Sequence, residues 1–316
     1  MATVLLLIWK GQAKKGKEEM TLDSNRMKQD GDWGALPADI GSVVRMALQE
    51  DIGDGDFTAM LVPADCIARA TVISREAAVL CGGPWFEQCF HELDAHAEVR
   101  WLVPEGTLVA PGQALCEIRG NARALVTAER TALNFLQALS GTASATRQYV
   151  HTIAGTSARI YDTRKTLPCM RTAQKYAVRV GGGSNHRMGL FAGILIKENH
   201  IAVAGGIGPA LRAAEAVAPA GIWVQIEVED GPELEAALVA GAKLILLDNF
   251  SVAQMRMAVA LSAGRAELEA SGGITLANLR EVAETGVDRI SIGSITKDVK
   301  AADLSMRVVL ENPAVN

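Results

Sequence analysis

Apolar positions along this chain change their period twice. Pro37 opens a stretch in which Ile40, Val43, Val44, Ala47 and Leu48 share one helical face, and the pattern stops near Gly53. Short strand-like runs follow at residues 68–74, 78–81, 97–102 and 114–119, separated by turn signals such as Pro104-Glu105-Gly106 and Pro111-Gly112. Thr127 then precedes a helix in which Leu133, Leu136 and Leu139 recur, with Glu129 in the first turn and Gly141 as a point where it ends or bends. Beyond residue 158 the grammar becomes alternating strand and helix. Continuous apolar runs at 158–161, 193–196, 222–226, 243–247, 267–270 and 289–292 read as parallel strands buried on both faces. Ser251 and Thr275 open helices that end at Gly264 and Gly286, and the helix around Leu234 and Leu238 stops at Gly241.

The last four strand ends fall near residues 227, 248, 271 and 293, a step that suits one strand plus one helix with short loops. Polar residues stand at nearly every strand end: Asp162 to Lys165, Lys197, Glu227, Asp248, Ser271 and Gly293. A closed or nearly closed barrel gathers such ends at one mouth, whereas an open sheet uses mainly one crevice. The expected class is therefore α/β, with a small N-terminal α+β unit followed by a parallel (β/α) series that favours a barrel. The expected division is a disordered extension over 1–34, the N-terminal domain with its linking helix over 35–145, the barrel over 146–296, and a helix over 297–316 that returns to the first domain.

Composition narrows this picture. The chain has 316 residues, enough for two domains, and 49% apolar with 21% charged residues is ordinary for a soluble protein. A net charge of −5 argues against general nucleic-acid or anionic-membrane binding. Residues 159–200 nevertheless carry eight Lys or Arg against two acids, which suggests a concentrated site for a small anion. Five cysteines without a C-x-x-C pair read as reduced, buried thiols, Cys169 among them, and His91 and His96 read as surface residues. Val4 to Trp9 is too short to span a membrane, and its lysines follow rather than precede it, unlike a signal peptide. Met20 or Met27 is then a candidate natural start, and the expected location is the cytoplasm.

Chemistry concentrates at the strand ends. Ser271-Gly272-Gly273-Ile274-Thr275 and Gly293-Ser294 are small-residue turns one unit apart, the place where many (β/α) barrels hold phosphate. Glu227 and Asp248 end adjacent strands and can hold Mg²⁺, accept hydrogen bonds from sugar hydroxyls, or act as acid and base. Arg164, His186, Arg187 and Lys197 arrive at successive strand ends, and arginine suits forked recognition of carboxylates. Gly181-Gly182-Gly183 implies a flexible or close-approach loop. No G-x-S-x-G turn or other activated nucleophile is present.

The strings that carry these residues are ERTALNFLQALSGTAS at 129–144, YDTRKTLP at 161–168, KYAVRVGGGSNHRMGL at 175–190, ILIKENHI at 194–201, IEVED at 226–230, LLDNF at 246–250, SGGIT at 271–275 and GVDRISIGSIT at 286–296. Together they resemble the quinolinate phosphoribosyltransferase family over about residues 36–310. The resemblance implies an enzyme of NAD biosynthesis that joins quinolinate to phosphoribosyl pyrophosphate and releases carbon dioxide and pyrophosphate, with Mg²⁺. It also implies an N-terminal α+β open sandwich followed by an incomplete parallel (β/α) barrel, and a homodimer, or a larger assembly built from it, with a shared active site. By position it assigns Arg130 from the partner subunit, Arg164, His186, Arg187 and Lys197 to quinolinate. It assigns Thr163, Lys165, Glu227, Asp248, Ser271, Gly272, Gly273, Gly293 and Ser294 to phosphoribosyl pyrophosphate, with Glu227 and Asp248 serving Mg²⁺ directly or indirectly. The rivals are a molybdate-transport-linked relative, nicotinate phosphoribosyltransferase, and a catalytically silent binding protein.

Overall fold

The computed structural model describes residues 34–311. The expectation of a disordered extension falls on residues 1–33, outside the described residues. Helix α1 (Ile40–Ile52) buries Val44 and Leu48, two of the positions its periodicity selects. Next come β1 (Ile67–Ser74), β2 (Ala78–Val79), α2 (Gly83–Leu93), β3 (Glu98–Trp101), β4 (Leu108–Val109) and β5 (Ala114–Asn121). Helix α2 has no counterpart in the sequence reading. Pro84 occupies its first turn, where a missing N–H costs nothing, and it buries Trp85, Phe86, Cys89 and Phe90.

Strand β12 (Leu304–Leu310) completes an antiparallel sheet in the order β12-β1-β5-β3. The C-terminal segment does return to the first domain, but as an edge strand and not as the expected helix. Its register on β1 runs from Ala68↔Leu310 to Ser74↔Leu304. A pairing across so much intervening chain leaves no local periodic signal, which is why the sequence reading missed it. In β1 the residues Ala68, Ala70, Val72 and Ser74 are buried and alternate with more exposed ones, so one face of the sheet is covered.

Helix α3 (Ala122–Thr152) is 31 residues long and is capped by the Asn121 side chain, which accepts from the Ala124 N–H at 3.2 Å. It starts before Thr127, the expected cap, and passes through Gly141 without ending. A Cβ at Gly141 would lie 2.1 Å from the Lys300 carbonyl, so glycine lets the chain that leads into β12 cross the helix.

The parallel sheet has six strands: β6 (Arg159–Tyr161), β7 (Ile194–Ile196), β8 (Val224–Val228), β9 (Leu244–Asp248), β10 (Glu267–Ser271) and β11 (Arg289–Ser291). Their order is β6-β11-β10-β9-β8-β7. Helices α4 (Arg171–Val180), α5 (Glu198–Ala204), α6 (Ile207–Val217), α7 (Gly231–Val239), α8 (Val252–Ser262), α9 (Leu279–Ala283) and α10 (Ser294–Lys297) connect them. The outward parity of the strands is apolar: Ile160, Ile226, Val228, Ile245, Leu247, Leu268, Ala270 and Ile290 join one buried cluster with the helices. The registers place the opposite parity, including Gln225, Glu227, Glu269, Arg289 and Ser291, on the barrel axis. The barrel is incomplete between β6 and β7. Part of that gap is filled by the glycine loop, whose Ser184 bridges to Tyr161.

Candidate active site

The glycine loop is built by close approach. A Cβ at Gly181 would meet the Ala143 carbonyl at 2.6 Å, and one at Gly183 would meet the Thr146 side chain at 2.8 Å, so both glycines let the loop lie against α3. Gly182, between them, has a φ of +93°. The loop is then tied from inside by a buried ion pair. Lys175 of α4 and Asp162 after β6 are fully buried and hydrogen-bonded to each other. Asp162 also accepts from the His186 N–H at 2.8 Å and from Asn185 Nδ2 at 2.6 Å, while Lys175 Nζ donates to the His186 carbonyl at 3.0 Å. Burial pushes the Asp162 carboxyl up and the Lys175 ammonium down, and their mutual attraction opposes both shifts. The bonds on every side make this a scaffold for the loop, because either charge left alone would be strongly disfavoured.

The loop delivers Arg187 to the mouth. Its guanidinium donates to the Gly193 carbonyl at 3.0 Å, spanning the gap beside β7. Burial, and then the like charge of Arg164, lowers the proton affinity of Arg187. Among the described residues no carboxylate is ion-paired with Arg164 or Arg187. Two neighbouring guanidiniums without a protein counter-ion form a site for an anion.

Next to them Lys197 Nζ reaches both oxygens of Glu227, at 3.0 and 2.8 Å. Glu227 is nearly buried, and burial raises its pKa against the pull of Lys197, with Asp248 and Glu198 adding to the rise. Two residues assigned by position to different substrates thus hold each other. Asp248 lies opposite Ser271 in the strand register, and Asn249 Nδ2 donates to it at 2.9 Å. Asn249 adopts a left-handed φ of 55° and abuts Gly272, where a Cβ would lie 2.1 Å from its Oδ1. Asn249 was overlooked, although an Asn between a strand-end Asp and a helix cap is a recognisable left-handed position.

On the other side of the mouth, Thr163 Oγ1 accepts the Lys165 N–H at 3.0 Å, and a Cβ at Gly293 would lie 3.1 Å from Lys165 Cδ. Ser294 Oγ is 3.2 Å from Tyr149 Oη of α3. Gly272 and Gly273 both have positive φ, as a tight anion-facing turn requires. The helix expected to open at Thr275 begins only at Leu279, so the SGGIT turn is a loop rather than a helix start.

The structure therefore brings Thr163, Arg164, Lys165, His186, Arg187, Lys197, Glu227, Asp248, Ser271, Gly272, Gly273, Gly293 and Ser294 to the C-terminal ends of one set of parallel strands or to the loop beside them. Arg130 stands apart: it is exposed on the N-terminal half of α3, with no hydrogen bond or ion pair to the mouth. Among the described residues no cluster of three His, Cys, Asp or Glu can hold a metal, so Glu227 and Asp248 alone do not make a protein cage. That donor set fits Mg²⁺ only where water and substrate supply most ligands. Cys81, Cys89 and Cys116 are buried, and burial pushes the Cys89 and Cys116 thiols up to about 12. Cys169 is exposed rather than buried, with a left-handed φ of 60° beside the basic loop. His91 and His96 are exposed, as expected. No helix among the described residues is long and apolar enough to cross a membrane.

Comparison with known proteins adds the following. Residues 56–140 match the quinolinate phosphoribosyl transferase N-terminal domain, and residues 142–307 match the C-terminal domain of the same family. A nicotinate-nucleotide pyrophosphorylase [carboxylating] of Mycobacterium leprae is 42% identical over 271 residues, covering 83% of this chain and 95% of that protein. A probable enzyme of the same name from Bacillus subtilis is 38% identical over 266 residues, covering 84% and 92%. A solved nicotinate-nucleotide pyrophosphorylase from Francisella tularensis superposes with a TM-score of 0.84 at 43% identity, covering 88% of this chain and 99% of that one.

Proposed function

Because the chain belongs to the quinolinate phosphoribosyltransferase family, converting quinolinate and phosphoribosyl pyrophosphate to nicotinate mononucleotide, carbon dioxide and pyrophosphate, we propose that the barrel mouth is where that chemistry occurs and that its residues divide the work as follows. The observation that carries the reading is the proximity of Arg164 and Arg187 with no ion-paired carboxylate among the described residues, at a mouth that also holds the Lys197–Glu227 pair. A dianionic pyridine supplies the missing charge.

Arg164 and Arg187 hold the two substrate carboxylates, and Lys197 turns toward them as Glu227 is drawn to the ribose hydroxyls. Asp248 holds the ribose from the next strand. Lys165, Thr163 and the turns at Ser271-Gly272-Gly273 and Gly293-Ser294 take the phosphate groups. The pyridine nitrogen is itself the nucleophile at C1 of the ribose, so these side chains act by orientation and by charge rather than by covalent attack. When bound, Mg²⁺ shields the negative charge of the departing pyrophosphate. After the C–N bond forms, the carboxylate beside the now cationic ring nitrogen departs as carbon dioxide; its bonding pair stays on that ring carbon, stabilised by the adjacent positive charge, until a proton from water completes nicotinate mononucleotide.

Arg130 completes the site from a second copy in a homodimer. Exposed Met46, Phe57, Met60 and Leu61 on the N-terminal domain supply apolar surface for that association. Cytoplasmic location fits the buried free thiols. The test is an assay of the purified protein with quinolinate, phosphoribosyl pyrophosphate and Mg²⁺, with nicotinate in parallel. Nicotinate mononucleotide forming from quinolinate alone is expected; turnover of nicotinate, or of neither, overturns the proposal.

A further inference from the structure

Below the mouth, on the barrel axis, a chain of three polar side chains runs from β10 to the glycine loop. Glu269 and Gln225 are fully buried, and Glu269 Oε2 accepts from Gln225 Nε2 at 3.0 Å. Gln225 Oε1 lies 3.0 Å from His186 Nε2, and His186 Nδ1 accepts the backbone N–H of Arg187 at 2.8 Å. Trp223 closes the ring from the side, with centroids 5.1 Å apart and planes nearly perpendicular. The His186 side chain is only 8% exposed.

The donors and acceptors in this chain admit one direction. A carboxylate only accepts, so the Gln225 amide must turn its NH₂ toward Glu269 and its oxygen toward His186. That oxygen requires a proton on Nε2. A neutral imidazole protonated at Nε2 has its lone pair at Nδ1, which is what the Arg187 amide finds. Burial lowers the proton affinity of His186, against the pull of Glu269, and so favours the neutral ring. Glu269 thereby dictates, through two side chains, how the peptide before the Arg187 guanidinium is oriented.

We propose that Glu269 and Gln225 are positioning residues for the quinolinate reaction, which set the His186 tautomer and through it the placement of Arg187. The inference rests on the reading that Arg187 takes a substrate carboxylate. Both residues lie one inward position before the strand-end residues Glu227 and Ser271, and so below the mouth. A further mark is the second oxygen of Glu269: it has no hydrogen-bond partner among the described residues and lies 3.7 Å from His186 Nε2, a counter-charge aimed at the ring.

The test separates the two ring nitrogens. His186→Asn keeps an acceptor where Nδ1 stood, and His186→Gln keeps a group only where Nε2 stood. H186Q and Glu269→Leu, which removes the acceptor for the Gln225 amide, are expected to raise the KM for quinolinate about tenfold while leaving the KM for phosphoribosyl pyrophosphate unchanged within error, and H186N is expected to retain most of the wild-type quinolinate KM. H186Q outperforming H186N, or E269L leaving the quinolinate KM untouched, overturns the proposal. Nitrogen NMR of ring-labelled wild-type protein without substrate gives a second readout that needs no activity. The His186 signal, identified by its loss in H186N, should show protonation at Nε2 only. A proton at Nδ1 refutes the relay even if the enzyme turns over quinolinate, whereas absent turnover with the expected tautomer refutes the functional reading alone.

Discussion

The barrel mouth and the four-stranded sheet of the first domain both carry cation–carboxylate pairs, in opposite surroundings. Lys175 and Asp162 are sealed from water and bonded to the loop that bears Asn185 and His186. Arg69 and Arg119 meet Glu311 at the open edge of the sheet, where the arginines are roughly half exposed or more. Water and salt screen the second set, so the sheet stands on Ala68, Ala70, Val72, Leu115 and Ile118 packed beneath it. The barrel axis instead mixes Leu195, Leu244 and Leu246 with polar side chains such as Gln225, Glu227 and Glu269. Its order comes from paired charges that would be intolerable if left single.

The comparison can be broken or sharpened in steps. The largest effect is expected from Lys175→Met, which leaves Asp162 buried and alone. It should cost about 3–5 kcal/mol in urea denaturation, with loss of turnover because the glycine loop is released. A smaller loss would mean that water reaches the pair. Arg164→Ala removes one guanidinium from the anion site and should lower kcat/KM for quinolinate by about 2–5 kcal/mol, with stability unchanged. Near-normal turnover would remove Arg164 from the site.

Mixing Arg130→Ala with Arg164→Ala protein tests whether the mouth is completed by a second chain. Random reassociation should restore about one quarter of wild-type activity, because half the dimers then carry one intact site of two. No recovery counts against a shared site. Gly141→Ala drives a methyl into the Lys300 carbonyl and should destabilise the protein by about 1–3 kcal/mol from overpacking, outweighing about 1 kcal/mol of gained helix propensity. A higher melting temperature would show that the crossing chain yields. Glu311→Ala should leave the melting temperature within error, and a clear drop would give the sheet edge a role that its exposure denies.

Much of this was legible beforehand because it is local. The six parallel strands are short runs rich in apolar residues, and the glycines after them mark where helices stop. Arg164, Lys165, Lys197, Glu227 and Asp248 were visible because a polar residue after an apolar run stands out. The relay behind them was not. Gln225 and Glu269 lie in the middle of their strands rather than at the ends, and only the register shows that both face inward. Lys175 read as one more cation in a basic stretch, since its fate depends on Asp162 thirteen residues earlier. Helix α2 escaped because its apolar face is a dense cluster of aromatic residues, and β12 because its partner is at the other end of the chain.

That last pairing bears on how the protein is made. Glu311 meets Arg69 across 242 positions, so β1 stays without its edge neighbour until the whole barrel between them has been made. The sheet is finished only after the barrel, and a chain cut before β12 would carry a barrel tethered to an unpaired strand, the kind of edge on which nascent chains stick together.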